Sequence, residues 1–304
     1  MQTITIHDQI LGSPVYDYLI LAGPTAVGKT DSLLSLSQQQ DIEVISADSR
    51  QIYRYMDIGT ATPPPDVLAE LPHHLINELD PDVVWDAADF YQRARELVRD
   101  IIKRGKLPVV VGGAGLYLDA LRDGLFNEPS KNLALRAKYQ GLVDGGEAER
   151  LWQELMELDP EYAQTFHFNN HKKLMRAFEI YESTGQTPTE VFRQSQDPFE
   201  LKGLYVVLDR PRKILYERIN VRVEIMLNEG LIAECQSLLK RGYSPDLYPL
   251  KTIGYKEVFA FLNGEGSQAE MVALIQKHTR NFAKRQLTWF RNHPFDHWID
   301  IDAS

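Results

Sequence analysis

The sequence predicts an α/β fold in which helices cover both faces of a parallel sheet and a helical insertion domain interrupts the chain. Short apolar runs such as Leu107–Val111 are continuous, as in strands that are buried on both faces, and amphipathic segments such as Ala87–Arg104 lie between them. Residues 131–194 differ from this pattern, because they show helical periodicity with many charges and no convincing strand. The first two observations predict the sheet, and the third predicts the insertion.

A phosphate-binding loop follows the first predicted strand. Tyr18–Ala22 leads into Gly23–Thr30, which fits the pattern G-x-x-x-x-G-K-[ST], and Asp31–Leu36 then begins a helix. This context predicts a P-loop NTPase-like core that binds a diphosphate or triphosphate, with Lys29 on the terminal phosphate and Thr30 on Mg²⁺. The alternative is a glycine-rich turn that binds nothing. The residues expected at the phosphates are Gly23, Pro24, Thr25, Ala26, Val27, Gly28, Lys29 and Thr30.

The ends of the later strands carry further candidate residues. Ile42–Ser46 predicts the second strand, and Asp48 follows it closely. Ligands of open α/β sheets bind outside the carboxyl ends of the strands, so Asp48 is placed as a catalytic carboxylate. A residue that caps the next turn, or a remote Mg²⁺ ligand, is the alternative for Asp48. The third predicted strand, Leu107–Val111, is followed by Gly112–Gly115, which permits close approach of a ligand, and Leu204–Leu208 predicts another strand.

The domain boundaries follow from the change of pattern near Phe126 and from the strand that returns near residue 204. We predict a catalytic core made of residues 1–126 and 200–304, with C-terminal helices, and a helical insertion domain of residues 127–199. The segments 127–130 and 197–199 are the expected hinges. The alternative is a helical excursion that packs tightly on the core.

Composition limits the classes of partner and compartment. The net charge of −10 argues against broad, non-specific adhesion to nucleic acid, but Lys277–Arg291 holds five basic residues and no acidic one. Such a stripe suits a phosphate backbone, and a solvated helix face is the alternative. The single cysteine, Cys235, excludes a disulfide within the chain. Without a recognisable signal or membrane-length apolar run, we expect a cytoplasmic protein that does not enter a membrane.

Several motifs then coincide in order along the chain, which resembles the bacterial tRNA dimethylallyltransferases, the adenosine-37 isopentenyltransferases. The phosphate loop alone is shared with many unrelated proteins, whereas the matching segments at 46–53, 56–61 and 279–291 are much more specific. The matching segments are GPTAVGKT at 23–30, SADSRQIY at 46–53, MDIGTA at 56–61, PHHLI at 72–76, VGGAGLY at 111–117, LYERINVRVEIML at 215–227, IGYKE at 253–257 and TRNFAKRQLTWFR at 279–291.

The resemblance implies transfer of a dimethylallyl group from dimethylallyl diphosphate to N6 of adenosine 37, in tRNAs that read codons beginning with U. By this analogy Asp48 orients the adenine amine and takes its proton, while Thr25 helps to position the diphosphate. Lys29 and a Mg²⁺ ion on Thr30 absorb charge as the C–O bond breaks, and Arg218 and Arg222 are the additional cations. The implied catalytic set is Asp48, Thr25, Lys29 and Thr30.

The resemblance also implies contacts with the tRNA anticodon stem-loop, which the insertion would grip. Two positions depart from the family pattern: Ala114 stands in place of a usual threonine, and Lys173 in place of an arginine, which keeps the charge but loses the planar fork. We expect a monomer. The implied tRNA contacts are Asp48, Ser49, Arg50, Gln51, Ala114, Arg136, Lys172, Lys173, Arg176, Lys251, Tyr255, Lys256, Arg280, Lys284 and Arg285.

Other classes of protein share parts of this pattern. A small-molecule or nucleoside kinase would use the same loop with ATP as donor. An adenylate isopentenyltransferase would carry out the same reaction on a free nucleotide, whereas the basic stripe favours a polymer. A non-catalytic nucleotide switch or RNA-binding module would tolerate the loss of Asp48.

Overall fold

One sheet of six parallel strands is present in the computed structural model, which describes residues 16–124, 132–194 and 199–302. The strand order is β3-β2-β4-β1-β5-β6, so the carboxyl ends of all six lie along the same edge. The predicted parallel α/β fold is confirmed. The strands are β1 (Tyr18–Ala22), β2 (Ile42–Ala47), β3 (His73–His74), β4 (Leu107–Gly112), β5 (Gly203–Asp209) and β6 (His297–Asp300).

Helices form the rest of the regular structure in the described chain. The longest of them, Gln268–Arg291, begins at a capping box between Ser267 and Glu270. None of the described helices is both long and apolar enough to cross a bilayer. The helices are α1 (Lys29–Ser37), α2 (Asp57–Thr60), α3 (Pro65–Glu70), α4 (Ala87–Lys103), α5 (Gly115–Asp123), α6 (Leu133–Asp144), α7 (Ala148–Leu158), α8 (Pro160–Ala163), α9 (His171–Thr184), α10 (Pro188–Gln194), α11 (Arg212–Glu229), α12 (Leu231–Lys240), α13 (Tyr255–Leu262) and α14 (Gln268–Arg291), with a 3₁₀ helix at Tyr248–Lys251.

Strands β1 and β2 are buried along their whole length, which explains their continuous apolar runs. Every residue of β1 and of β2 is buried, including Glu43 of β2. The sequence analysis predicted no strand at His73 and His74, which form the two-residue strand β3. They pair with Val44 and Ile45 of β2. A strand of two residues is too short to produce a recognisable apolar pattern in the sequence.

The chain divides into two compact units. The first joins the chain up to Arg122 with the chain from Glu200 onwards, and the second covers Asp123–Phe199. The boundaries predicted from the sequence were 126/127 and 199/200. The first of these, with its expected hinge at 127–130, falls outside the described residues, as do residues 197 and 198 of the second hinge.

The second unit is helical in the part that the structure describes. Its buried core includes Leu155, Leu174 and Phe178, and the rings of Tyr139 and Phe178 stack with their centroids 5.0 Å apart. The fully buried Glu179 accepts a hydrogen bond from the backbone amide of Asn132, which itself caps α6. This unit therefore has a hydrophobic core of its own.

A buried carboxylate organises the edge of the sheet that carries the amino ends of the strands. Glu43, with a side chain only 7% exposed, contacts Arg104 at 2.6 Å, the Nε2 atom of His74 at 2.8 Å and the Nζ atom of Lys106 at 3.4 Å. The hydrogen bonds from Arg104 are the main reason that the pKa of Glu43 falls from 4.5 to about 2. The charged form of Glu43 therefore stabilises the folded chain.

We predict that Glu43→Gln lowers the free energy of unfolding by about 3 kcal/mol at neutral pH, the equivalent of the pKa shift. The depressed pKa contributes its full stability above pH 4.5, and this contribution is lost as the pH falls towards about 2. Urea denaturation across this pH range should therefore show the difference between wild type and variant shrinking in acid. Glu200→Gln, at a half-exposed carboxylate that pairs with Arg99, is the control and should cost much less, because solvent screens this pair. A difference independent of pH would contradict the assignment.

Candidate active site

The predicted phosphate loop joins the carboxyl end of β1 to the amino end of α1. The ammonium group of Lys29 turns back over this loop and donates hydrogen bonds to the carbonyl oxygens of Gly23 and Pro24, both at 2.9 Å. Burial and then repulsion from Arg222 lower the pKa of Lys29 from 10.5 to about 8. Thr30 lies exposed in the first turn of α1. The loop thus holds a desolvated lysine whose charge an incoming phosphate would stabilise.

Two arginines of α11, which the resemblance implied as additional cations, contact the same loop. The Nε atom of Arg218 donates to the carbonyl oxygen of Ala26 at 2.9 Å, and a terminal nitrogen of Arg222 lies 3.4 Å from the hydroxyl of Thr25. Burial lowers the pKa of Arg222. The structure therefore brings Lys29, Arg218 and Arg222 together around one loop.

A third arginine at the loop was missed by the sequence analysis. The Nε atom of Arg210 donates to the carbonyl oxygen of Val27 at 2.6 Å, and its guanidinium group pairs with Asp302. Arg210 comes directly after β5, at the edge of the sheet where ligands bind, and this position was the signal available in the sequence. Its contacts make it a support of the loop backbone.

Asp48 lies within the electrostatic field of the phosphate loop. Its Oδ1 atom accepts a hydrogen bond from the backbone amide of Arg50 at 2.8 Å, which fixes the turn after β2. The charge of Asp48 raises the pKa of Lys29 and that of Arg222, in opposition to burial. A carboxylate and the loop cations therefore share one site, although they are far apart in the sequence.

Internal hydrogen bonds hold the segment that follows Asp48. The Oε1 atom of Gln51 accepts from the hydroxyl of Ser46 at 2.8 Å, and its Nε2 atom donates to the carbonyl oxygen of Ala61 at 3.2 Å. A guanidinium nitrogen of Arg50 donates to the backbone and hydroxyl oxygens of Ser49. Gln51, an expected tRNA contact, thus already uses its amide to join the end of β2 to the loop after α2.

Tyr255, another expected tRNA contact, is fully buried, which corrects that expectation. Its hydroxyl donates to Glu234 at 2.7 Å, and the same carboxylate accepts the backbone amides of Asp57, Ile58 and Gly59 at 2.8 to 3.0 Å. A side chain on Gly59 would place its Cβ atom 2.3 Å from the ring of Tyr255. The motifs at 56–61 and 253–257 therefore pack against each other inside the protein, and Glu234 forms hydrogen bonds with both.

Gln286 of α14 links the phosphate loop to the loop after β4. Its Oε1 atom accepts from the backbone amide of Thr25 at 2.9 Å, and its Nε2 atom donates to the carbonyl oxygen of Gly113 at 3.0 Å. A Cβ atom at position 113 would lie 2.2 Å from Nε2, so the approach requires glycine. The sequence analysis missed this role, although Gln286 is a polar residue on the buried face of α14, beside Ala283 and Phe290.

The other predicted contacts in the first unit differ in exposure. Ala114 is part of the turn after β4, and its amide lies 3.4 Å from the carbonyl oxygen of Ala47. Lys251 and Lys256 are exposed and pair with Asp246 and Glu257 at 3.1 and 3.5 Å. These two lysines present their charges on the surface.

The basic stripe lies on α14, as predicted. Lys277, Lys284 and Arg285 are exposed, whereas Arg280 is half-buried and donates to the side-chain oxygen of Asn220 at 2.6 Å. A surface groove runs beside the exposed cations. It is lined by Asn281, Lys284, Arg285, Thr288, Trp289, Asn292 and His293.

The predicted contacts of the second unit separate into two groups. Lys172 and Lys173 are exposed in the first turn of α9, where Asn170 caps the helix. Arg136 and Arg176 instead pair with the buried Glu179 at 3.1 and 2.8 Å, and the side chain of Arg176 is only 15% exposed. The two arginines therefore hold α6 and α9 together through a shared carboxylate.

We predict that Gln286→Ala weakens the binding of inorganic pyrophosphate roughly tenfold, because the amide of Thr25 loses its partner and the loop loses one of its supports. Isothermal titration calorimetry would measure the affinity. Gln276→Ala is a matched control, since Gln276 also lies on α14 and donates to a side chain, Glu224, at 3.1 Å. Equal affinities for the two variants would show that the bridge does not order the loop.

Pyrophosphate affinity should also fall as the pH rises through about 8, because Lys29 then loses its charge. Well above this pKa the loss approaches about tenfold per pH unit. Pyrophosphate itself titrates, so the comparison is with Lys29→Arg, whose guanidinium group stays charged. Identical pH profiles for wild type and this variant would contradict the role given to Lys29.

Known proteins resemble this chain over nearly its whole length. The family model described as IPP transferase matches residues 51–293. A tRNA dimethylallyltransferase of Thermotoga neapolitana is 43% identical over 93% of this chain and 92% of its own length. The structure of a tRNA isopentenylpyrophosphate transferase of Bacillus halodurans is 37% identical, with a TM-score of 0.69 over 94% of this chain and 90% of its own. A eukaryotic dimethylallyltransferase acting on tRNA is 26% identical, with a TM-score of 0.76 over 94% and 74% of the two chains. The chain therefore belongs to the IPP transferase family.

Proposed function

We propose that this protein transfers a dimethylallyl group from dimethylallyl diphosphate to N6 of adenosine 37, in tRNAs that read codons beginning with U. The observation that carries the proposal is the shared site of Asp48, Lys29 and Arg222, in which a proton acceptor lies within the field of the phosphate loop. Family membership supports the same reaction, since the relatives described above are named for prenyl transfer to tRNA.

The phosphate loop and its cations would stabilise the leaving group. As the C–O bond of the donor breaks, its electron pair leaves with the diphosphate and negative charge grows on the oxygens that face the loop. Lys29, Arg218 and Arg222 contact this loop and would counter that charge. Arg210 and Gln286 would hold the loop backbone in the shape that the diphosphate requires.

Asp48 would serve the acceptor. The N6 nitrogen of adenine forms the new bond to carbon, and its proton passes to the carboxylate of Asp48. A carboxylate is sufficient for this step because the amine becomes acidic only as it attacks. The step also requires a fixed orientation of the carboxylate, which the hydrogen bond from the backbone amide of Arg50 provides.

The site also suits a Mg²⁺ ion bound mainly by the diphosphate. Mg²⁺ keeps several waters and takes few protein ligands when substrate phosphates are present. The described residues contain no group of three or more acidic, histidine or cysteine side chains that could hold a metal alone, and Thr30 is exposed beside the loop. Thr30 would hold the ion, which supplies positive charge to the diphosphate when bound.

The surface cations suit an RNA partner. Lys277, Lys284 and Arg285 on α14 and Lys251 and Lys256 are exposed, and phosphate contacts of this kind favour a polymer over a free nucleotide. In the second unit, Lys172 and Lys173 would add contacts to the anticodon stem-loop. The target adenine would leave the loop stack to reach Asp48, as enzymes that act on bases require.

The test is transfer of label from dimethylallyl diphosphate, with Mg²⁺, to an unmodified tRNA that carries adenosine 37. The same tRNA with another base at position 37 is the control. Label that depends on adenosine 37 supports the proposal. No transfer, together with hydrolysis of ATP or phosphorylation of a small molecule, would overturn it in favour of a kinase.

We predict that Asp48→Asn lowers the transfer rate by about 10² or more, because the amide cannot accept the proton. Asparagine keeps the oxygen that accepts the amide of Arg50, so the turn should persist. Pyrophosphate affinity measured alongside should change less than about threefold, since Asp48 does not contact the phosphate loop backbone. A variant with near-normal turnover would remove Asp48 from the mechanism.

A further inference from the structure

Tyr248 is the most exposed aromatic side chain among the described residues, with 69% of its surface accessible. It is the first residue of the 3₁₀ helix, three positions before the exposed Lys251. The guanidinium carbon of Arg50 lies 4.5 Å from the centre of the Tyr248 ring. The ring is therefore held by a cation on one side while much of its surface faces solvent.

The Tyr248 ring lies beside the proposed acceptor site. Arg50, which contacts the ring, is two residues from Asp48, and its amide holds the Asp48 carboxylate. Burial raises the pKa of the Tyr117 hydroxyl, and Arg50, Tyr248 and Asp48 also act on this group electrostatically. Arg50 contacts the Tyr248 ring through its guanidinium group and the carboxylate that would meet the adenine through its backbone amide, so it connects the two.

An exposed aromatic ring at this position has a clear chemical use. Extrusion of a base from a single-stranded loop leaves the neighbouring bases without a stacking partner, and proteins that bind single-stranded RNA offer aromatic rings in its place. The cation beneath the ring fixes its orientation before RNA binds. The contact with Arg50 and the exposed Lys251 three positions further on also suit a polyanion such as RNA.

We propose that Tyr248 is a stacking platform for a base next to the target adenosine and so helps to position the anticodon loop. This inference rests on the proposed function, because it assigns a further RNA contact to the same site. Neither the phosphate loop nor Asp48 requires such a contact, so its loss should affect RNA recognition and leave donor binding unchanged.

The test compares Tyr248→Ala and Tyr248→Phe in transfer to an anticodon stem-loop RNA. Tyr248→Ala should raise the KM for this RNA about tenfold with little change in the KM for dimethylallyl diphosphate, while Tyr248→Phe, which keeps the ring, should stay within about threefold of wild type. Tyr16→Ala is the matched control, since Tyr16 is also exposed but precedes β1 at the opposite edge of the sheet.

Abasic RNAs make the test specific for stacking. The nucleotide on the 5′ or on the 3′ side of adenosine 37 is replaced by an abasic residue, and the effect of Tyr248→Ala is measured on each RNA. The penalty should disappear on one of the two. An equal penalty on all RNAs, an unchanged KM, or a loss as large in Tyr248→Phe would overturn the inference.

Failure of the proposed function would be distinguishable from failure of this inference. If the wild-type protein transfers label to none of these RNAs, the proposed function fails, and RNA affinity measured by fluorescence anisotropy then replaces KM. The same dependence of the Tyr248→Ala penalty on one abasic position would still support stacking, and its absence would exclude it.

Discussion

The hydrogen bonds of Gln286 connect parts of the site that no local structure connects. One side-chain amide joins the loop after β1, through Thr25, to the loop after β4, through Gly113. The pairing of Ala22 with Gly112 brings the starts of these loops together, and Gln286 adds a side-chain link between the loops themselves. Because Gln286 lies on the buried face of α14 while Lys284 and Arg285 lie on the exposed face, one helix combines an internal tether with a surface that suits RNA.

The parallel sheet explains why so few residues are needed to assemble the site. All carboxyl ends lie along one edge, so the phosphate loop after β1, Asp48 after β2 and Arg210 after β5 meet without any long connection. The opposite edge carries Glu43 and its cations, which contribute to stability and take no part in the site. Stability and chemistry thus depend on different ends of the same strands, and substitutions at one end need not disturb the other.

Much of this arrangement could be predicted from the sequence, because its signals are local. Apolar runs predicted the central strands, and the spacing of glycine, lysine and threonine predicted the phosphate loop. Arg218 and Arg222, four residues apart, lie on one face of α11. Glu234, Arg210 and Gln286 escaped prediction, since each acts through a partner more than a hundred residues away. Tyr255 shows the opposite error, because a motif residue was assigned to the surface although its ring fills the interior.

The contact between Gly59 and Tyr255 has a consequence for how such a protein can evolve. Any side chain at position 59 would collide with the aromatic ring, and a smaller residue at position 255 would leave both a cavity and a carboxylate, Glu234, short of a partner. A substitution at any one of these three positions alone would therefore destabilise the fold. Related chains should keep all three together or replace them as a set, and that covariation is open to inspection wherever many such sequences are aligned.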